Sequence, residues 1–371
     1  LAAFITACAG DRLDIAETIA LTRAMHGAGK TLDWGAGLVL DKHCVGGLPG
    51  NRTTPIAEAI VAAAGFCIPK TSSRAITSPA GTADTMEVLA PVALDIAAMR
   101  RVVESEGGCV VWGGGLDLSP ADDLLIRIER PLDFDSEGQL VASVLSKKAA
   151  AGSTHVLIDM PVGPTAKVRS DAAARTLSER LHAVGQSIGL TQRIHVSDGS
   201  APVGRGIGPA LEAHDLLAVL RRNPDAPMDL RERALDLAGA LLDLAEANGG
   251  NGRDRAKNLL DSGAAEAKFL SICEAQGGFR EPGSAPHQSI ETAMTGGVIR
   301  EIDNRRIAKI AKLAGAPGRK HAGVRLLARP GDVVEEGQPI YEIHAETPGE
   351  LGWALDYAGA GASPFRIREA P

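Results

Sequence analysis

Lys42-His43-Cys44-Val45-Gly46-Gly47-Leu48-Pro49-Gly50-Asn51-Arg52-Thr53-Thr54-Pro55 gathers the residue types that hold a small anion. The apolar run Leu38-Val39-Leu40 ahead of it predicts a buried strand, and Gly46, Gly47 and Gly50 permit tight turns. Thr54-Pro55 has the form of an N-cap followed by the first helical residue, so backbone N–H groups gather at a helix start. Lys42 adds charge there and Thr53 and Thr54 add hydroxyl donors, which makes phosphate the natural tenant. The segment from Thr71 to Asp84 repeats the theme after the run Phe66-Cys67-Ile68. It surrounds Arg74 with Ser72, Ser73, Thr77 and Ser78 and reaches a helix start at Thr82. An arginine so placed can clamp an anion bidentately. Two such loops on successive βα units converge at one edge of a sheet, where open α/β folds bind ligands.

A third constellation is helical. From Ser136, in the N-cap position, Gln139, Ser143 and Lys147 recur every fourth residue and lie along one side, away from Val141 and Leu145. Asp135 extends that rail with an acid. A positioned acid contributes roughly 10²- to 10⁴-fold in rate if its carboxyl stays protonated, so Asp135 would need a raised pKa. His43 stands inside the first loop and can touch a base or a sugar.

These groups need a scaffold that brings them together. Strands are expected at Leu38–Leu40, Phe66–Ile68, Cys109–Trp112, His155–Met160 and Arg193–Ser197, alternating with helices in the rhythm of a parallel sheet. Leu13–Ala28 reads as an amphipathic helix with Ile15, Ile19, Thr22 and Met25 on its inner side. The fold class is α/β: a small all-helical lobe (1–34 and 117–151), a larger parallel-sheet domain (35–116 and 152–293) and a C-terminal α+β domain (294–371). A hinge is placed at Trp34-Gly35-Ala36-Gly37, so that closure brings the phosphate loops to the helical rail. Gly204-Arg205-Gly206-Ile207-Gly208-Pro209 has the wrong spacing for a dinucleotide fingerprint and reads as a plain strand-to-helix connection.

The ordered set Lys42-His43, Gly46-Gly47, Gly50-Asn51-Arg52-Thr53-Thr54, Ser73 to Ser78, Thr82, Ala142 to Lys148 and Ile158 to Gly163 resembles the pyrimidine-nucleoside phosphorylases. It is most similar to their branch of AMP phosphorylases and thymidine-phosphorylase-like proteins, and the resemblance covers nearly the whole chain. It implies phosphorolysis, in which phosphate attacks C1′ and displaces a base. It assigns phosphate to Lys42, Ser72, Thr82, Thr53 and the Gly46-Gly47 amides. By likeness to AMP phosphorylases, Gly47, Ser73, Arg74, Ala75, Ile76, Thr77, Ser78 and Thr82 would instead contact a nucleotide, and these two uses compete for the same hydroxyls. Asp135 matches the proton donor, Ser143 and Lys167 match nucleotide-binding residues, and Lys147 matches a base-contacting lysine. Arg127 or Arg130 lies where thymidine phosphorylases carry a base-binding arginine. Cys44 replaces the family's usual serine, and a thiol is the weaker donor. AMP-phosphorylase-like proteins carry a further N-terminal domain, so the chain is expected to be a fragment.

Composition agrees. With 371 residues and 44% hydrophobic content the chain can bury a large core, while 3% aromatic content and a net charge of −7 argue against nucleic acid as a partner. Five cysteines show no paired spacing, so neither a metal site nor a disulfide framework is expected. The expectation is a cytoplasmic homodimer that binds neither nucleic acid nor membrane. It would act on a small nucleoside or nucleotide, with inorganic phosphate as co-substrate and no cofactor. Two further readings stay open: an anthranilate-type phosphoribosyltransferase, and an inactive anion-binding or assembly protein.

Overall fold

The computed structural model describes residues 1–35, 37–75, 78–132, 136–246 and 250–368. Helices α1 (Ala2–Cys8) and α2 (Ile15–Gly27) come first. Asp14 caps α2 in a reciprocal box, accepting from Glu17 N at 2.8 Å while the Glu17 carboxylate accepts from Asp14 N at 3.0 Å. The α/β portion then runs β1 (Leu40–Cys44), α3 (Thr53–Ala63), β2 (Ile68–Ser72), α4 (Thr82–Leu89), α5 (Ile96–Glu106) and β3 (Gly108–Trp112). Helices α6 (Pro120–Leu132) and α7 (Glu137–Ala150) follow, then β4 (His155–Val162), α8 (Asp171–Ser187), β5 (Thr191–Asp198), β6 (Gly206–Ile207), α9 (Pro209–Leu220), α10 (Met228–Ala245), α11 (Gly252–Asp261) and α12 (Ala264–Ala275). The last part comprises β7 (His287–Thr292), β8 (Gly297–Ile302), α13 (Asn304–Leu313), β9 (Gly323–Leu326), β10 (Val333–Val334), β11 (Pro339–Ala345), α14 (Pro348–Gly359) and β12 (Phe365–Arg368).

Strands β1, β4 and β5 form one parallel ladder and β2 and β3 another. A parallel bridge between Val39 and Cys67, with Leu40 N donating to Cys67 O at 2.9 Å, joins them in the order β3-β2-β1-β4-β5. Helical crossovers connect these strands, as parallel pairing requires. Two strands begin later and run further than expected: β1 carries Lys42 and His43 within it, and β2 runs on to Ser72. The apolar pattern stops early because Asp41, Lys42 and Lys70 are buried as members of ion pairs, which hydrophobic periodicity does not register.

Helix α3 is buried from Thr53 to Ala62 because α10 and α12 cover it. Helices α1, α2, α6 and α7 pack on one another around Ile5, Met25, Leu125 and Ala142. On α2 the inner side holds Thr18, Thr22 and Met25, while Ile15 is exposed; the threonines bury their hydroxyls by bonding back to Asp14 O and Thr18 O at 2.7 Å. The C-terminal part contains an antiparallel sheet β6-β9-β11-β7 and a smaller one, β10-β8-β12. Strands β6 and β7 lie ahead of the expected boundary at 294, yet their ladder partners are in the tail. No helix among the described residues is long and apolar enough to cross a membrane.

Candidate active site

The first loop leaves β1 at Cys44 and enters α3 through Arg52, which occupies the N-cap position in place of the expected Thr54. Gly47 has φ +81°, and a Cβ there would lie 2.4 Å from Lys167 N. Only glycine lets this turn rest directly on the segment that carries Lys167.

Beneath the loop, the Lys42 ammonium donates to the hydroxyls of Thr53 (3.0 Å) and Thr54 (3.2 Å) and pairs with Asp159 at 3.6 Å. Lys42 is buried, and its charge neutralises Asp159 instead of facing solvent. Thr53 is engaged likewise, donating to Asn51 Oδ1 at 3.3 Å. Asp159 also accepts from Ser197 Oγ at 2.7 Å and Asn51 Nδ2 at 3.2 Å. Burial works to protonate it, but Lys42 and these donors outweigh burial and hold its carboxyl below the usual range. Cys44 stands beside it, accepting from Asn51 Nδ2 at 3.4 Å. Burial and the Asp159 charge push this thiol up to about 12, so it stays neutral.

Successive residues of a strand face opposite ways, so Asp41 and His43 occupy the other face of β1. Asp41 binds Lys148 at 2.8 Å, Lys70 at 2.9 Å and Ser153 Oγ at 3.2 Å, and all four side chains are buried. Burial brings Lys148 down to about 7, Lys70 adding to the effect and Asp41 opposing it. Burial, then Lys148, Lys70, Lys147 and Lys42, hold His43 well below the usual imidazole range. His43 is therefore a neutral hydrogen-bonding group.

The second loop starts where β2 ends. Ser72 is buried and its hydroxyl has no partner among the described residues, whereas Ser73 is exposed. Asp84, in the first turn of α4, clasps the loop by accepting from Ala75 N at 2.7 Å and Gly81 N at 2.9 Å. Arg74 does form a bidentate pair, but with Glu87, at 2.7 and 2.9 Å. It also touches Asp84 at 3.2 Å and lies over Trp112, so its paired edge ties the loop to α4. Hydrogen bonding to Arg74, against burial and helped by Lys320, brings Glu87 down to about 2. Ser78 Oγ donates to Ala80 O at 2.9 Å.

The two loops meet. Arg52 donates to Thr82 Oγ1 at 2.9 Å and Ala80 O at 3.1 Å, while Glu212 receives its other edge at 2.6 Å. Helix α7 carries Gln139, buried with its Nε2 unpartnered among the described residues, and the half-buried Ser143 and Lys147. Lys147 bonds Asp122 of α6 at 2.7 Å, and its charge reaches His43. Lys167 is exposed beside Gly47, and Arg127 is exposed on α6. Asp135, Ile76, Thr77 and, in the expected hinge, Ala36 lie outside the described residues, as does the side chain of Arg130. Asp41, Lys70 and Glu212 join these buried pairs although the sequence reading does not single them out, and Arg52, Lys148 and Asp159 enter that reading only as parts of longer motifs with no role of their own. The available signal was charged residues inside apolar strand and helix patterns, which must be paired if buried.

Residues 36–266 match the glycosyl transferase family a/b domain, and residues 298–362 match the pyrimidine nucleoside phosphorylase C-terminal domain. The chain is 64% identical over 370 residues to a "Putative thymidine phosphorylase" of Polaromonas sp. (strain JS666), covering all of this chain and 72% of that relative. A "Putative thymidine phosphorylase" of Hahella chejuensis is 60% identical over 370 residues, covering all of this chain and 73% of the relative. Among solved structures, anthranilate phosphoribosyltransferase from Thermus thermophilus aligns with a TM-score of 0.57 at 20% identity, over 71% of this chain and 86% of that one. The enzyme of that name from Saccharomyces cerevisiae gives 0.56 at 15%, over 71% and 80%. Those two likenesses concern the fold. The domain pair and the full-length relatives decide the assignment: the chain is a pentosyltransferase and belongs to the thymidine/pyrimidine-nucleoside phosphorylase family.

Proposed function

We propose that this protein catalyses phosphorolysis of a pyrimidine nucleoside of the thymidine type, giving free base and α-pentose 1-phosphate. The observation that carries the reading is the meeting of the two hydroxyl-bearing loops at one rim of the parallel sheet, through Arg52 and Thr82. Phosphate would sit on the Gly46-Gly47 amides, Ser72 and Thr82, while Lys42, neutralised by Asp159, would hold the Thr53 and Thr54 hydroxyls at the start of α3 beneath it. Its oxygen forms a bond to C1′ as the bond from C1′ to the base nitrogen breaks, and the electron pair leaves with the base. Asp135 would deliver the proton, and His43, being neutral, would hydrogen-bond the base without adding charge. Ser143, Lys147, Arg127 and Lys167 complete the nucleoside side. Closure of the helical lobe would exclude water from the oxocarbenium-like sugar.

The engagement of Arg74 with Glu87 and Asp84 supports a nucleoside over a 5′-monophosphate, since the terminal nitrogens of that arginine already serve two carboxylates. The proposal includes a cytoplasmic homodimer that needs no metal or organic cofactor. Incubation with phosphate and each of thymidine, uridine, AMP, CMP and UMP, followed by assay of free base, tests it. Release from nucleosides in EDTA is expected; release from monophosphates alone would overturn the substrate class. A requirement for magnesium and a phosphoribosyl diphosphate would favour the phosphoribosyltransferase reading instead.

A further inference from the structure

We infer that Arg52 is a positioning residue for the oxyanion: it locks the second loop onto the first and sets the polarity of the Thr82 hydroxyl. The inference rests on the phosphate site proposed above.

Arg52 is the N-cap of α3, at the end of the first loop, and its guanidinium is buried. Its planar fork works in three directions at once. The Nε and Nη2 edge meets Glu212 at 2.6 Å, Nη1 reaches Thr82 Oγ1 at 2.9 Å, and Nη2 also reaches Ala80 O at 3.1 Å. Glu212, in the first turn of α9, is fixed in turn by Thr85 Oγ1 at 2.9 Å and Gly208 N at 3.4 Å. One guanidinium thus ties α3, the second loop and α9 together away from water.

The direction of the hydrogen bond to Thr82 carries the functional consequence. A guanidinium can only donate, so Thr82 Oγ1 accepts and its own proton is left to point elsewhere. At the start of α4, that leaves a hydroxyl donor free for an incoming anion. Lysine keeps the charge but lacks the fixed fork and cannot satisfy all these acceptors in the same geometry.

The test compares the wild-type protein with Arg52→Lys and Arg52→Met. Three readouts are used: calorimetric binding of inorganic phosphate, hydrogen exchange over residues 71–83, and steady-state KM values for phosphate and thymidine. Because the change removes charge-assisted hydrogen bonds that hold the site's donors in place, phosphate affinity is expected to fall roughly 10- to 100-fold in Arg52→Met. Exchange over the second loop should rise, KM for thymidine should move by less than about 2-fold, and Arg52→Lys should recover only part of the phosphate affinity. Unchanged phosphate affinity and exchange would overturn the inference, and so would equal losses of phosphate and nucleoside binding. If neither variant folds, Thr85→Val loosens Glu212 alone. It should weaken phosphate binding about 3-fold, as loss of one hydrogen bond of ordinary strength predicts, and no change would refute the clamp. A wild-type protein that binds phosphate with this Arg52 dependence but releases no base would sink the proposed function and leave the clamp standing. Base release indifferent to Arg52 would do the reverse, and failure of the wild-type protein to bind phosphate would overturn both.

Discussion

Replacing Gly47 by alanine separates two physical effects at the first loop. Gly46 and Gly47 both have left-handed backbones, with φ +97° and +81°. A Cβ at Gly46 would meet nothing within 4 Å, whereas one at Gly47 would lie 2.4 Å from Lys167 N and 2.8 Å from Lys167 Cβ. Each substitution carries a backbone penalty of about 1–3 kcal/mol, and at roughly 2–4 °C per kcal/mol both should lower Tm by several degrees. Only Gly47→Ala must also push the turn from Lys167 by about 1 Å to reach ordinary contact, a shift large enough to cost up to about 10²-fold in rate. The assay is initial base release at saturating thymidine with phosphate varied, beside a thermal melt of each variant. Gly47→Ala should lose about 10- to 100-fold in kcat/KM for phosphate, or about 1.4–2.7 kcal/mol of transition-state stabilisation, while Gly46→Ala loses much less. Equal losses in the two variants would refute the steric argument, and an unimpaired Gly47→Ala would remove the first loop from the phosphate site.

Asp41→Asn leaves Lys70 and Lys148 buried without their counter-charge and should cost about 3–5 kcal/mol in urea unfolding; adding Lys148→Met should recover part of that loss. Lys42→Met does the same to Asp159 from the other side of β1, and a stability loss below about 1 kcal/mol would contradict the pairing. His43 has a folded-state pKa below its ordinary 6.5, so as pH falls below 6.5 the unfolded chain takes up a proton that the native imidazole refuses. Stability should therefore fall with acid from 6.5 towards the native value, and His43→Gln should flatten that part of the urea-midpoint profile. Cys44, with its thiol at about 12, should react with iodoacetamide at pH 8 on the order of 10³-fold more slowly than an unperturbed thiol, as peptide mapping before and after unfolding would measure.

The sequence is most legible where glycines and helix caps fall at fixed offsets. Gly46 and Gly47 locate the first loop because few other residue types meet its backbone demands, and the start of α4 at Thr82 falls where the sequence places it although Gly81 occupies the N-cap. Ser136 is readable as a cap because few residue types suit that position, and its hydroxyl does accept from Gln139 N. What local pattern cannot give is which charges find partners across the fold. Arg74 has the chemistry of an anion clamp, but Glu87 lies 13 residues along and one helical turn past Asp84, so the clamp closes on the protein itself. Lys42 looks like a loop residue by composition; its strand conformation follows from pairing with β4, where Cys44 sits opposite Asp159. Periodicity puts Ile15 inside, yet the lobe is small enough that threonines bonded to their own helix fill that side.

Strand β6 is only two residues long, but it leaves the α/β portion to pair with Val324 and Arg325 near the end of the chain, and α9 begins two residues later. A chain cut after residue 293 would thus lose more than an appendage. The severed edge would leave Gly206 and Ile207 without ladder partners, and Ala210 N without the Lys320 carbonyl that receives it at 2.9 Å. Tail and catalytic half are in this respect woven as one textile, so shortened versions should collect in the insoluble fraction on expression, and swapping tails between relatives should succeed only when the 204–210 thread travels with them.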